Sequence, residues 1–136
     1  MSLLNPYLNF NGQCREALTF YQQCFEGELT LQKISESPMA ARMPSEKGAN
    51  ILHGALTKDG TVLLMGSDMI GDNLQSGNSI GLCLNCTSDQ EINTLFNRLS
   101  TGGQVKMPLH QSFWGATYAE IKDKFGMSWM LNYTKN

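Results

Sequence analysis

The sequence predicts an α+β chain in which one strand-helix-strands unit is used twice. Three observations lead there. The segment Tyr7-Leu8-Asn9-Phe10-Asn11, followed by a helical stretch, recurs as Gly81-Leu82-Cys83-Leu84-Asn85 followed by another. Each copy ends in a β-rich run, Gly60-Thr61-Val62-Leu63-Leu64-Met65 in the first and Gly126-Met127-Ser128-Trp129-Met130-Leu131 in the second. The repeat period is near half of the 136-residue chain, which means two fused modules and not a solenoid of short, numerous units. The length suits one domain with a sizeable core, made of modules at about 1–68 and 79–136 with a linker at about 69–78.

The elements follow from periodicity. Leu4, Leu8 and Phe10 alternate with Asn5, Tyr7 and Asn9, so a first strand is expected from about Leu4 to Asn9. Between Gln13 and Phe25, Ala17, Leu18, Tyr21 and Phe25 recur at helical spacing beside polar Arg15, Glu16, Gln22 and Gln23, and Gly27 is expected to stop the helix. In the second copy Ile80, Leu82 and Leu84 oppose Ser79, Gly81, Cys83 and Asn85 as the matching strand. Ile92, Leu95, Phe96 and Leu99 repeat the helical stripe. Ser88 and Glu91 before it read as a capping box, and Gly102-Gly103 as its end. The strand faces turned away from the helices are polar, so a cavity is their natural destination. The 37–50 connection, with Pro38 and Pro44, is longer than a hairpin loop and suits a lid or a partner contact.

Composition excludes several functions. Ten Lys plus Arg against twelve Asp plus Glu, with no basic cluster, argue against nucleic acid as a partner. No uncharged apolar run approaches the roughly 20 residues that span a bilayer, and Met1–Pro6 has no charged segment before an apolar one. A soluble, cytoplasmic protein with no membrane partner is expected. Four cysteines include Cys83-x-x-Cys86, but within a strand residues three apart point to opposite faces, so the sulfurs diverge. Cys14 and Cys24, ten positions apart, are expected on different faces of the first helix, and all four cysteines read as reduced, small apolar residues.

A family resemblance rests on Asn5-Pro6-Tyr7-Leu8-Asn9-Phe10-Asn11-Gly12, on Ala17-x-x-Phe20-Tyr21, on Phe113-Trp114-Gly115, and on Asp123-Lys124-Phe125-Gly126-Met127-Ser128-Trp129-Met130. In this order, over nearly the whole chain, the segments resemble the PhnB-like branch of the vicinal oxygen chelate superfamily, which holds glyoxalases, bleomycin- and fosfomycin-resistance proteins and extradiol dioxygenases. The resemblance implies two βαβββ modules forming curved sheets around a cleft, and a homodimer. One scaffold of this kind hosts many chemistries.

The resemblance also implies a divalent metal held by one residue on the first and one on the last strand of each module. Those positions are Asn5, Leu64, Ser79 and Met130 here. Leu and Met supply no donor for a hard or borderline dication, and Asn and Ser only weak neutral oxygens. The expectation is therefore no metal and no cofactor. The branch also borders sequences labelled demethylubiquinone methyltransferases. S-adenosylmethionine commonly needs a glycine-rich turn between strand and helix, and only Gly12 precedes the first helix, as a turn residue.

Asn5, Tyr7, Asn9, Leu64, Ser79, Trp114 and Met130 are then the expected ligand-binding residues, with Tyr7 and Trp114 the aromatic ones facing a cavity. Trp129 shares a face with Leu131 and belongs with the helix-side core. His53 and Glu120 form a candidate catalytic acid-base pair, since imidazole changes charge near neutral pH. Against it stands the plainer reading of His53 as a sheet histidine and of Glu120 with Lys122 as a surface pair. Three function classes follow. The favoured one is a metal-independent homodimer that binds a small, partly apolar or aromatic molecule. The others are a glyoxalase- or dioxygenase-like lyase or isomerase using His53 and Glu120 or an atypical metal site, and a structural or regulatory dimer with a vestigial cleft.

Overall fold

The computed structural model describes residues 2–42, 48–68 and 73–135, so part of the 37–50 connection and of the 69–78 linker lies outside the described residues. The chain divides into two compact units, Met1–Gln75 and Ser76–Asn136. Each is a four-stranded mixed sheet with one α-helix against it.

In the first unit β1 (Tyr7–Phe10), α1 (Cys14–Phe25), β2 (Glu28–Lys33), β3 (Ile51–Lys58) and β4 (Thr61–Asp68) form a sheet in the order β1-β4-β3-β2. β1 runs parallel to β4, and the other pairs are antiparallel. Two short 3₁₀ turns, Ile34–Glu36 and Pro38–Arg42, follow β2. In the second unit β5 (Leu82–Asn85), α2 (Asp89–Ser100), β6 (Gln104–Gln111), β7 (Ala116–Lys122) and β8 (Ser128–Thr134) give the order β5-β8-β7-β6, again with one parallel pair, β5 with β8. The duplication expected from the sequence is thus an identity of topology.

The helical stripes do what their spacing predicts. Cys14, Ala17, Leu18 and Tyr21 of α1 are fully buried, and Leu8, Phe10, Leu56 and Leu64 of the sheet are buried with them. In the second unit Ile92 and Leu99 of α2 are buried with Ala119, Ile121, Trp129 and Leu131. Each fully buried side chain of Leu or Ile size contributes about 1.5–3 kcal/mol relative to exposure.

Both first strands are shorter than their alternation suggests. β1 starts at Tyr7, and Leu4 is 98% exposed. Pro6 has no N–H to donate to the ladder, although its carbonyl still accepts from Met65 N, so pairing ends there. β5 starts at Leu82 opposite Trp129, and β8 begins only one residue earlier, which leaves Ile80 without a strand to pair with. Ile80 is accordingly exposed.

The helix ends also differ from expectation in instructive ways. The left-handed residue closing α1 is Glu26, at φ 56°, and not Gly27. Gly27 serves a different need: a Cβ there would stand 2.5 Å from the carbonyl oxygen of Thr57. Gly103 repeats the device, pressed by its missing side chain against the carbonyl oxygen of Lys122. Each glycine lets the chain leave its helix over the end of the third strand of its unit. Ser88 does cap α2, its hydroxyl accepting from Glu91 N at 3.0 Å. The Glu91 carboxylate, however, takes the N–H of Thr87 at 2.8 Å, one residue before the box position.

Cys14 and Cys24 are both buried on α1, contrary to the expectation of different faces. Cys83 is exposed on β5, and Cys86, which lies one residue beyond the end of that strand and not within it as expected, is buried.

Candidate functional site

A sheet packed on one side by a helix has a second face, and in each unit that face collects polar and aromatic side chains. Strand pairing arranges them in rows. In the first unit Tyr7 of β1 pairs with Met65 of β4, which pairs with Ala55 of β3. In the second unit Cys83, Met130 and Glu120 form the matching row on β5, β8 and β7. His53 stands two residues before Ala55, and Tyr118 two before Glu120, so His53 and Tyr118 are counterparts. One row further, Asn9 pairs with Ser67 and Asn85 with Asn132.

These rows correct one expected site residue. Leu64 is only 2% exposed and lies on the helix side of its sheet. Aligning Gly60 with Gly126 equates Leu64 with Met130, but Thr57 pairs with Val62 and Leu56 with Leu64, so β4 carries one extra residue, Leu63, in a bulge. The insertion inverts the parity of everything beyond it. Met65, not Leu64, occupies the face that Met130 occupies.

Asn5 lies half-buried ahead of β1, and Ser79 is exposed in a bend ahead of β5, so neither stands on a strand row. Tyr7 and Asn9 are exposed on β1, and Met130 is half-buried on β8. The Tyr7 hydroxyl lies 3.1 Å from His53 Nδ1, and the two rings are 5.8 Å apart between centroids. Of the candidate acid-base pair, His53 thus neighbours Tyr7 in one unit, and Glu120 neighbours Tyr118 in the other.

The second unit gathers more. The Tyr118 hydroxyl donates to Glu120 Oε2 at 3.0 Å. Burial first, then that hydrogen bond and the Glu120 charge, push the Tyr118 phenol above its ordinary pKa. The Trp114 ring meets Tyr118 edge-on at 5.2 Å and Phe113 at 5.0 Å, while His110 approaches the other partner of the cluster, Tyr118, at 6.2 Å. Trp114 Nε1 donates to Asn132 Oδ1 at 3.4 Å, and Asn132 Nδ2 to Asn85 Oδ1 at the same distance. Trp114 remains 50% exposed and Phe113 98%. His110, Asn85 and Asn132 were not among the expected site residues. The signal for the two asparagines was available, since both share strand parity with Met130 or with Cys83.

The donor set does not fit a divalent metal. Leu64 is buried under the sheet, Met130 offers a thioether, and no group of three or more His, Cys, Asp or Glu that could hold a metal occurs among the described residues. What the faces offer chemically is stacking surface, the Glu120 carboxylate, the imidazoles of His53 and His110, and amide groups for orienting a bound molecule.

The sequence profile of the family described as 3-demethylubiquinone-9 3-methyltransferase matches residues 3–132. Protein YjdN of Escherichia coli K12 is 33% identical over 97% of this chain and 95% of its own length. Among solved structures, protein PA1353 from Pseudomonas aeruginosa is 34% identical with a TM-score of 0.88, and each chain covers 100% of the other. A putative 3-demethylubiquinone-9 3-methyltransferase, PhnB protein, from Bacillus cereus is similar over 98% of this chain and 100% of its own, at 24% identity and a TM-score of 0.79. A glyoxalase-related enzyme from Fulvimarina pelagi shares the fold alone, at 16% identity and a TM-score of 0.67 over 98% of this chain and 89% of its own.

Proposed function

We propose, from the premise that this chain belongs to the PhnB-like family of the vicinal oxygen chelate superfamily, that it binds a small, partly aromatic molecule without a metal and works as a homodimer in the cytoplasm. The observation that carries the reading is the cluster of Trp114, Tyr118 and His110 on the sheet face of the second unit. Half-exposed rings beside amide and carboxylate groups are the usual makeup of a small-molecule site: the rings supply apolar area and the polar groups fix orientation. Asn132 and Glu120 stand in those orienting positions.

A methyltransferase reading, suggested by the family description, finds less support. The turn before α1 is where a glycine-rich anion- or nucleotide-binding loop would present backbone N–H groups. Here the N–H groups of Gly12 and Cys14 are both taken by the Asp68 carboxylate, at 2.8 and 3.0 Å. The two donors that this turn would present are thus engaged by the protein's own carboxylate.

The test uses tryptophan emission. The chain has two tryptophans, so Trp129→Phe leaves Trp114 as the single reporter. Titrating that variant, after chelation and dialysis, with 1-naphthol should give saturable quenching and a raised melting temperature. Trp114→Ala should lose binding at unchanged melting temperature. Quenching that never saturates, or that needs an added dication, defeats the proposal.

A further inference from the structure

The 3.1 Å contact between Tyr7 and His53 has a chemical direction. A neutral imidazole has one N–H and one bare nitrogen, and whichever nitrogen accepts a hydrogen bond forces the proton onto the other. A phenol is a good donor and a poor acceptor, because its oxygen lone pair is delocalised into the ring. A bare imidazole nitrogen is the strongest neutral acceptor among side chains. The favourable arrangement is Tyr7 O–H donating to His53 Nδ1. Tilted ring packing, with an interplanar angle of 32°, holds the two groups together although both reach solvent. Among the described residues His53 Nε2 takes no hydrogen bond.

We infer that Tyr7 locks His53 in the Nε2–H form, so that this face of the first unit offers a hydrogen-bond donor and selects small molecules carrying a carbonyl or carboxylate oxygen. His53 is then a binding group. A base at Nε2 would need that nitrogen bare, which the Tyr7 contact disfavours. Tyr7 is a positioning residue, acting through His53. The ligand half concerns the sheet face of the first unit by itself and rests on the proposal that this protein binds small molecules, whereas the tautomer exists without any ligand.

The first measurement needs no ligand. Two-bond proton-nitrogen correlation spectra of the full chain labelled with ¹⁵N-histidine, at mildly alkaline pH, report which ring nitrogen of His53 is protonated. The expected result is a protonated Nε2, with a mixture of tautomers in Tyr7→Phe. A protonated Nδ1 in the wild type, or an unchanged spectrum in Tyr7→Phe, overturns the inference.

The second measurement uses benzoate, benzamide and benzylammonium, which share a ring and differ in offering a charged acceptor, a neutral acceptor or a donor only. Benzoate or benzamide should shift the Nε2 resonance, and the tighter of the two tells whether the preferred oxygen is charged. His53→Gln places an amide N–H at about the reach of Nε2 and should retain binding. His53→Asn, whose amide reaches only as far as Nδ1, should lose about tenfold, the worth of one hydrogen bond. Benzylammonium binding as well as benzoate, or equal behaviour of the Gln and Asn variants, overturns the ligand half. Quenching of Trp114 without any response at His53 sinks the ligand half of this inference and leaves the proposed function standing, whereas silence at both residues sinks that half and the proposed function together.

Discussion

The Asp68 carboxylate holds the backbone N–H of Cys14 at 3.0 Å, although 54 positions separate the two residues. The same oxygen takes Gly12 N at 2.8 Å, and the other oxygen takes Ile51 N at 2.9 Å. α1 has no cap of its own, since the Gln13 side chain makes no capping hydrogen bond. The last residue of β4 therefore supplies, from another strand, what a serine or aspartate at the cap position supplies locally. Its charge also sits favourably at the positive end of the helix dipole.

Replacing Asp68 with alanine should accordingly cost more than a local cap. Three N–H groups would lose a charged partner, two of them in buried hydrogen bonds. A hydrogen bond to a charged group is worth about 1.5–3 kcal/mol, and shared partners make the sum less than additive, so a loss of about 3–5 kcal/mol is expected in urea unfolding. Asp68→Asn keeps one oxygen and should lose less than half of that. A change under about 1 kcal/mol for Asp68→Ala would refute the clamp.

The second unit has a comparable buried acid in a different place. Asp123 takes the Trp129 indole N–H at 2.7 Å with one oxygen, and the N–H groups of Phe125 and Met127 at 2.8 and 3.0 Å with the other. It thereby shapes the turn from β7 to β8 and anchors the core tryptophan. Trp129→Phe removes the indole N–H from one carboxylate oxygen and takes away ring volume, for an expected loss of about 2–3 kcal/mol in the same assay. Because Trp129 faces the helix, affinity for a ligand on the opposite face should stay unchanged once folding is corrected for. An affinity drop of tenfold or more would contradict the assigned faces.

How much of this was legible in the sequence depends on the range of the interaction. The repeat, the two helices and the apolar stripe of each are local patterns, and they reappear as two identical topologies with the stripes buried, apart from Phe96, which is half-buried. The role of Trp129 was readable from its alternation with Leu131. Leu64 was misplaced because strand parity is readable only while pairing is regular, and a bulge of one residue at Leu63 leaves no mark that composition reveals. Asp68, at the very end of the expected first module, carried no legible role for a similar reason: its three partners lie at 12, 14 and 51, and nothing near it in sequence hints at them. Tyr7 could be placed on the face shared with Asn9, but its contact with His53 spans 46 positions and belongs to the sheet order alone.

The thiols give a pH-dependent prediction with a definite sign. Burial first, and then the Asp68 carboxylate, push the Cys14 thiol up to about 12; burial first, and then Glu91, push Cys86 up to about 11. Both values exceed the ordinary 9.0 of an unfolded thiol. Below that value both states hold the proton and the full stability is present. Above it the unfolded chain ionises while the folded chain keeps its thiols neutral, so the unfolded state binds fewer protons and unfolding becomes easier as pH rises. Stability should therefore fall progressively between about pH 9 and pH 12, and Cys14→Ser, which removes one of these titrations, should flatten that fall even if it lowers the neutral-pH value. The same burial predicts reactivity. Cys83 is exposed and the other three cysteines are buried, so a thiol-disulfide reagent at neutral pH should label Cys83 in a fast phase and the rest only on unfolding. Equal labelling rates for Cys83 and Cys14 in the folded protein would show that α1 does not stay closed over its sheet.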